Sequence, residues 1–252
     1  MMSMRYFFIR PDDLAGEVVT IEGKEARHMG KVLRLRPGMV VGLSDGGGMQ
    51  GEGRIRTVTR DQVVLEVLSR FPSPREPEGE LVVAQALLKD QKMDLLLRQL
   101  TELGMTRWWP FLSVRSVPHP DAKRQAVRTA RWERIAREAV KQCRRGRVPD
   151  ILPKGRLDDV LREAGRYDTC IMFWEGARDP LPAVIDDDAD SPRRVLVVVG
   201  PEGGFAEEEA EAAVQAGFRL ATLGPRILRA ETATLAACTL VQHLYGDLRK
   251  VV

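Results

Sequence analysis

Arg194-Val195-Leu196-Val197-Val198-Val199-Gly200-Pro201-Glu202-Gly203-Gly204-Phe205 is an apolar run that empties at once into a glycine-rich turn. A buried parallel strand reads this way, continuous in Val and Leu and bounded by turn residues. Ala206–Ala216 reads as the helix that follows, opened by Glu207–Glu209 and Glu211 near its positive end. Strand, tight turn and helix in that order specify an α/β sheet, and the turn beyond such a strand is where these sheets take a ligand. The glycines let backbone amides approach a ligand closely. The turn is neither a phosphate loop, since no Gly-Lys-Ser/Thr follows, nor a GxGxxG fingerprint. Taken alone, it is a structural turn by default.

Downstream, Leu220–Leu223 reads as a short strand before Leu223-Gly224-Pro225-Arg226-Ile227-Leu228-Arg229-Ala230-Glu231-Thr232-Ala233, and Glu231–Leu244 as a final apolar helix. Glu231 or Thr232 is a candidate cap there, which is the structural reading of that segment. Upstream, Leu81–Ala86, Thr106–Leu112 and Asp168–Phe173 read as strands. Gln91–Leu103 is a helix closed by Gly104. Asp186–Asp190 reads as a solvated acidic loop. Phe71–Gly79 carries three prolines and reads as a stiff linker. Before it, Met39–Leu43, Gly53–Thr59 and Gln62–Leu68 are strand-like, with a hairpin signal at Asp45–Gly48 and a short helix or turn at His28–Arg34. The expected organisation is a small β-barrel over 1–71, a linker over 72–79 and an α/β domain over 80–252.

The 252 residues are 44% hydrophobic and 30% charged, a globular balance. The net charge of +3 is unevenly spread. Residues 72–150 carry 16 basic and 10 acidic side chains, whereas 151–252 carry 12 and 17. Lys123–Arg145 reads as an amphipathic helix. Trp132, Ile135, Ala136, Ala139, Val140 and Cys143 share one face, and Arg131, Arg134, Arg137, Lys141 and Arg144 the other. That charge is the footprint of a polyanion, with a solvated face as the plainer alternative. The apolar face is mostly alanine and suits packing better than insertion into lipid. Three scattered cysteines and three scattered histidines suggest neither a disulfide framework nor a metal site, and fit a reducing cytosol. No apolar run approaches the roughly 20 residues needed to span a bilayer, and the N-terminus reads as neither signal nor anchor.

Gly200-Pro201-Glu202-Gly203-Gly204-Phe205 together with Leu223–Ala233 closely resembles the bacterial 16S ribosomal RNA uracil-N3 methyltransferase family, within the SPOUT superfamily. The resemblance extends to Thr101-Glu102-Leu103-Gly104, to Arg115-Ser116 and to Gln142–Pro149. Arg5-Tyr6-Phe7 and His28…Val32-Leu33-Arg34 match the N-terminal domain. Cys143 stands where serine is common in that family. The resemblance implies a PUA-like β-barrel followed by a trefoil-knotted α/β domain, S-adenosylmethionine as cofactor, no metal, and a cytoplasmic homodimer joined through the last helix, where Leu235, Leu240 and Val241 lie.

Carried over by position, cofactor contacts fall on Phe173, Glu175, Gly176, Gly200, Pro201, Gly203, Gly204, Leu223, Gly224, Ile227, Leu228 and Arg229. Arg229 is the expected stabiliser of charge on the uracil, with Glu231 or Glu202 in a polar or base role. RNA contacts are expected from Arg5, His28, Lys31, Arg34, Lys89, Lys92, Arg115, Arg131, Arg134, Arg137, Arg145 and Arg147, on the 16S rRNA of the small ribosomal subunit. Two other functions remain open at this point: a related enzyme methylating another RNA site, such as a ribose 2′-hydroxyl, and a non-catalytic RNA-binding factor of the same fold.

Overall fold

The protein is described here from a computed structural model, over residues 4–181 and 194–248. The acidic run Asp186–Asp190 lies outside the described residues. The chain forms two compact units. The first is Met1–Glu76 with Val140–Val148, and the second is Pro77–Ala139 with Pro149–Val252.

The first unit contains β1 (Tyr6–Phe8), α1 (Pro11–Ala15), β2 (Val18–Glu22), α2 (Gly23–Arg27), β3 (Val40–Ser44), β4 (Met49–Val58) and β5 (Gln62–Pro72). A π-helical turn, His28–Val32, continues α2. The strands pair in the order β1-β3-β4-β5-β2, with β1 parallel to β3 and the other pairs antiparallel. Two register shifts interrupt the long β4–β5 ribbon, the positions where an extra residue bends a strand. Phe7, Val19, Met29, Val41, Leu43, Ile55, Val63 and Leu65 form the core. Alternate residues of β2 (Val19, Ile21) and β5 (Val63, Leu65) point inward, as the pleat requires. β1 and β2 lie outside the stretches that read as strands in the sequence.

The second unit contains β6 (Glu80–Ala86), α3 (Lys92–Glu102), β7 (Arg107–Leu112), most of α4 (Ala122–Cys143), β8 (Asp150–Ile151), β9 (Gly155–Arg156), α5 (Leu157–Arg162), β10 (Thr169–Phe173), β11 (Arg194–Val199), α6 (Glu207–Gln215), β12 (Arg219–Ala221) and α7 (Ala230–Leu244). Its sheet is parallel throughout, ordered β12-β10-β11-β6-β7-β8, with β9 also on β7. Val82, Ala84, Ala86, Met172, Leu196 and Val198 face α5 and α6 with Phe205 and Phe218. The intervening residues, Val83, Gln85, Ile171, Val197 and Val199, are also buried, on the face where α7 and α3 pack. Both faces are covered, so the strands read as continuous apolar runs rather than alternating ones.

Two motifs of the sequence are packing devices. Thr101-Glu102-Leu103-Gly104 ends α3. Met105 N–H donates to Leu100 O at 2.9 Å, and Gly104 takes φ +88°, the left-handed residue of a Schellman closure. A side chain at Gly104 would strike Gln242 of α7, whose Nε2 donates to Leu103 O at 2.6 Å. The basic helix stops at Cys143, two residues before its expected end, because Arg144 takes φ +64°.

Candidate active site

The turns that follow β10, β11 and β12 meet at one edge of the parallel sheet and enclose a cavity of about 620 Å³. Parallel strands present all their C-terminal ends on that edge, which makes it the ligand edge of an open α/β sheet. Phe173, Leu223, Leu228 and Ala233 give the cavity an apolar lining, and Gly200–Gly204 form one wall. Glu175, Glu202, Arg178 and Arg226 also line it.

The glycine turn is tightly held. Gly204 sits at φ +68°, where an L side chain is strained, and a Cβ there would also push the Glu175 carboxylate aside. Arg115 Nη1 donates to Gly203 O at 2.9 Å. Phe205 stacks on Phe111 with ring centroids 6.4 Å apart. Glu209, in the first turn of α6, is buried. It accepts from Ser113 Oγ, Val114 N–H and Ala206 N–H, each at 3.0 Å. Three donors satisfy a carboxylate that burial would otherwise destabilise.

Gln85 anchors the turn from below. It is fully buried at the end of β6. Its Nε2 donates to Gly200 O at 3.0 Å, and its Oε1 accepts from Thr234 Oγ1 of α7 at 2.5 Å. Its sequence signal was one polar residue at the end of an apolar strand.

A charge cluster stands beside the cavity. Lys92 Nζ lies 3.0 Å from Glu202 Oε1 and 3.3 Å from Glu231 Oε2. Lys89 N–H also donates to Glu202 Oε1, at 3.1 Å. Burial works against ionising Glu202. The Lys92 ammonium and backbone amides, Lys89's among them, outweigh it and hold the carboxyl below its usual range. The Lys92 ammonium is raised in turn, chiefly by its hydrogen bond to Glu202.

Ten of the twelve expected cofactor positions line the cavity: Phe173, Glu175, Gly200, Pro201, Gly203, Gly204, Leu223, Gly224, Ile227 and Leu228. Gly176 and Arg229 do not. Gly176 packs under the Trp174 ring. Arg229 is the exposed residue before α7, its backbone extended at φ −63° and ψ 148°. Glu202 and Glu231 converge on Lys92 rather than standing apart as free bases.

The expected RNA contacts divide. Arg5, His28, Lys31 and Arg34 are exposed on the first unit. Arg131, Arg134 and Arg137 are exposed along α4, with Trp132, Ala136 and Ala139 buried on the opposite face. Arg131 is also ion-paired with Asp94 of α3. Arg145 is a correction. It is 4% exposed, with Nη2 2.9 Å from Glu76 Oε2. The same Glu76 accepts from Gly146 N–H at 2.7 Å and Arg147 N–H at 2.9 Å. Gln50 Nε2 donates to the Arg144 and Arg145 carbonyls. The Gln142–Pro149 element thus includes a strap within the first unit, and its buried arginine cannot reach a phosphate. Lys92 pairs with its two carboxylates, and the exposed Arg115 gives one hydrogen bond to the glycine turn.

The cavity suits the sulfonium cofactor that the resemblance implies. Its volume lies in the range of small-molecule sites. Apolar walls with a glycine cradle match a nucleoside, and two carboxylates with two guanidinium groups match a cationic centre and an amino-acid end. Among the described residues, no group of three His, Cys, Asp or Glu side chains is placed to hold a metal, and no helix is long and apolar enough to cross a membrane.

Comparison with known proteins agrees with this geometry. Residues 74–242 match an RNA methyltransferase domain, and residues 21–68 an RNA methyltransferase PUA domain. Ribosomal RNA small subunit methyltransferase E of Bacillus subtilis is 29% identical, over 97% of this chain and 98% of its own. That of Mycobacterium bovis is 30% identical over 94% and 90%. The crystal structure of ribosomal RNA small subunit methyltransferase E from Neisseria gonorrhoeae bound to S-adenosyl methionine aligns with a TM-score of 0.83, at 32% identity, over 97% of this chain and 99% of that one. From its PUA domain to its last helix, the chain therefore belongs to the ribosomal RNA small subunit methyltransferase E family.

Proposed function

We propose that the protein methylates N3 of a uridine in 16S rRNA, using S-adenosylmethionine held in the cavity beyond β10, β11 and β12. The observation that carries this reading is the cavity itself, walled by the Gly200–Gly204 and Leu223–Leu228 turns. When bound, the cofactor supplies an electrophilic methyl group, and transfer is an in-line displacement at that carbon.

The chain's own part is to present the nucleotide. Uridine N3 is protonated at neutral pH and attacks only after losing that proton. Arg229 is exposed beside the cavity, one residue before Ala230 in its lining. It serves as the cation that orients the uracil and stabilises negative charge on its oxygens. Glu202 is held ionised by Lys92 and below the usual carboxylate range, the wrong direction for a general base at neutral pH. Its role is to fix the glycine turn, and Glu231 keeps the polar role beside Arg229. Turning the nucleotide outward costs about a few kcal/mol. Phosphate contacts from Arg5, His28, Lys31, Arg34, Lys89, Arg134, Arg137 and Arg147 offset that cost.

The finer architecture follows the family resemblance. We assign the PUA-like domain to 1–76 with 140–148 as its strap, and the methyltransferase domain to 77–139 and 149–252, so that the expected linker over 72–79 divides between the two. The last turns form a trefoil knot, a reading supported by β12 lying beyond β10 while α7 returns to β11 and α3. Leu240, exposed on α7, suits the interface of a homodimer, and the enzyme works in the cytoplasm. The test is incubation with labelled S-adenosylmethionine and small subunits lacking the modification, followed by nucleoside mapping. Label at uridine N3 is expected. Label on a ribose, or none, refutes the assignment.

A further inference from the structure

Lys92 opens α3, and two carboxylates from distant parts of the chain converge on its ammonium. Glu202 comes from the glycine turn on one wall of the cavity. Glu231 comes from the first turn of α7, next to Ala230 on the other wall. Since each carboxylate oxygen lies within 3.3 Å of the same nitrogen, the two stand within about 6 Å of each other. The three side chains are only 21–30% exposed. Two carboxylates so close and so poorly hydrated repel strongly unless a cation lies between them.

We propose that Lys92 is a positioning residue for the cofactor pocket: its ammonium bridges Glu202 and Glu231 and so holds the glycine turn against the start of α7. This rests on the reading of that cavity as the S-adenosylmethionine site. The bond to Glu202 is reinforced by the Lys89 amide, so the turn is tied at one point to two positions of the β6–α3 connection. Lys92 also lines a cleft between α3 and α4, with Asp94 and Arg98 of its own helix and Arg131, Arg134 and Glu138 of the other, while on the cavity side Glu202 stands among Glu175, Arg178 and Arg226. Asp94 is bound by Arg131 and by Trp132 Nε1. Glu202 and Glu231 are the anions ion-paired with the ammonium.

Glu202 is shifted down and Lys92 up, so this pair stays charged around neutral pH in the native protein. Without the ammonium, Glu202 loses the cation that holds its ionisation down and faces the Glu231 carboxylate unshielded. The pocket is then strained at high pH and relieved when Glu202 is protonated.

The experiment is calorimetric titration of S-adenosylmethionine into the full-length protein, K92M, K92R and K92M/E202Q, at about pH 5.5 and about pH 8. K92M is expected to bind about tenfold more weakly at the higher pH and within about threefold of the native protein at the lower. K92R is expected to stay near native affinity at both, and K92M/E202Q to bind with the same affinity at both pH values, because with one carboxylate neutral the repulsion is gone. A K92M deficit that is constant with pH, or whose pH dependence persists in K92M/E202Q, overturns the proposal and leaves the pocket reading standing. A native protein that binds no S-adenosylmethionine refutes the pocket reading, and the proposal with it. If K92M does not fold, K92Q replaces it. If neither folds, folding restored by E202Q supports the repulsion, and folding not restored overturns it.

Discussion

Arg229 and Glu209 carry opposite kinds of sequence signal. Arg229 is a candidate because its neighbourhood resembles a known family, and the structure places it exposed just before α7. Arg229→Ala is expected to lower methyl transfer by at least about 100-fold with cofactor affinity nearly unchanged, a loss on the scale of one removed charge-stabilising donor. Single-turnover rates and calorimetry separate the two, and normal turnover removes Arg229 from the chemistry. Glu209 read only as one of several acidic residues near a helix start. Its three donors and its burial became visible with the fold. Glu209→Ala strands those donors and is expected to cost about 3 kcal/mol. That lowers the melting temperature by about 6–12 °C. A shift under about 2 °C by calorimetry would show that water replaces the carboxylate.

At the scale of elements, α4 divides along its length by what each face touches. Trp132, Ala136, Ala139 and Val140 are buried, as the apolar face of the wheel requires. The opposite face was legible as basic, but not the partners its cations meet. Arg131 pairs with Asp94, and Lys141 reaches Glu25 at 3.0 Å. Arg134 and Arg137 are exposed on that face. Reversing both, as R134E/R137E, is expected to weaken binding to small-subunit RNA by about tenfold or more and to flatten its dependence on salt. The far-ultraviolet circular dichroism is expected to stay native. Unchanged affinity across a salt series returns this face to ordinary solvation.

The whole molecule is not a simple string of two domains. The chain leaves its first unit at Glu76 and returns to it at Val140–Val148. The return is fixed by Glu76, which binds Arg145 and the Gly146 and Arg147 amides, and by Val148 N–H, which donates to Gly46 O at 3.0 Å. Gly146 is required there, because a Cβ would lie 2.4 Å from that of Ser73. Glu76→Ala strands the Gly146 and Arg147 amides and takes one carboxylate from the buried Arg145 guanidinium, a loss of about 3 kcal/mol. It is expected to lower the melting of the first unit specifically. Hydrogen exchange should rise in β3 and β4 while β6, β10 and β11 stay protected. Uniform loss of protection in both units would show instead that they melt as one.

The sequence by itself determined the parallel sheet, the glycine turn beyond its central strand, the basic face of α4 and the family. Each depends on local pattern: apolar runs, glycine placement, helical period and short motifs in order. Tertiary structure alone decided the fate of the charges. Lys92 meets Glu202 and Glu231, Arg145 meets Glu76, and Gln85 meets Thr234 across separations of 69 to 149 residues. An ion or a polar group looks the same in sequence whether it is solvated or buried. Only its partner's approach through the fold settles which it is, because desolvation is tolerable when a matching group arrives with it.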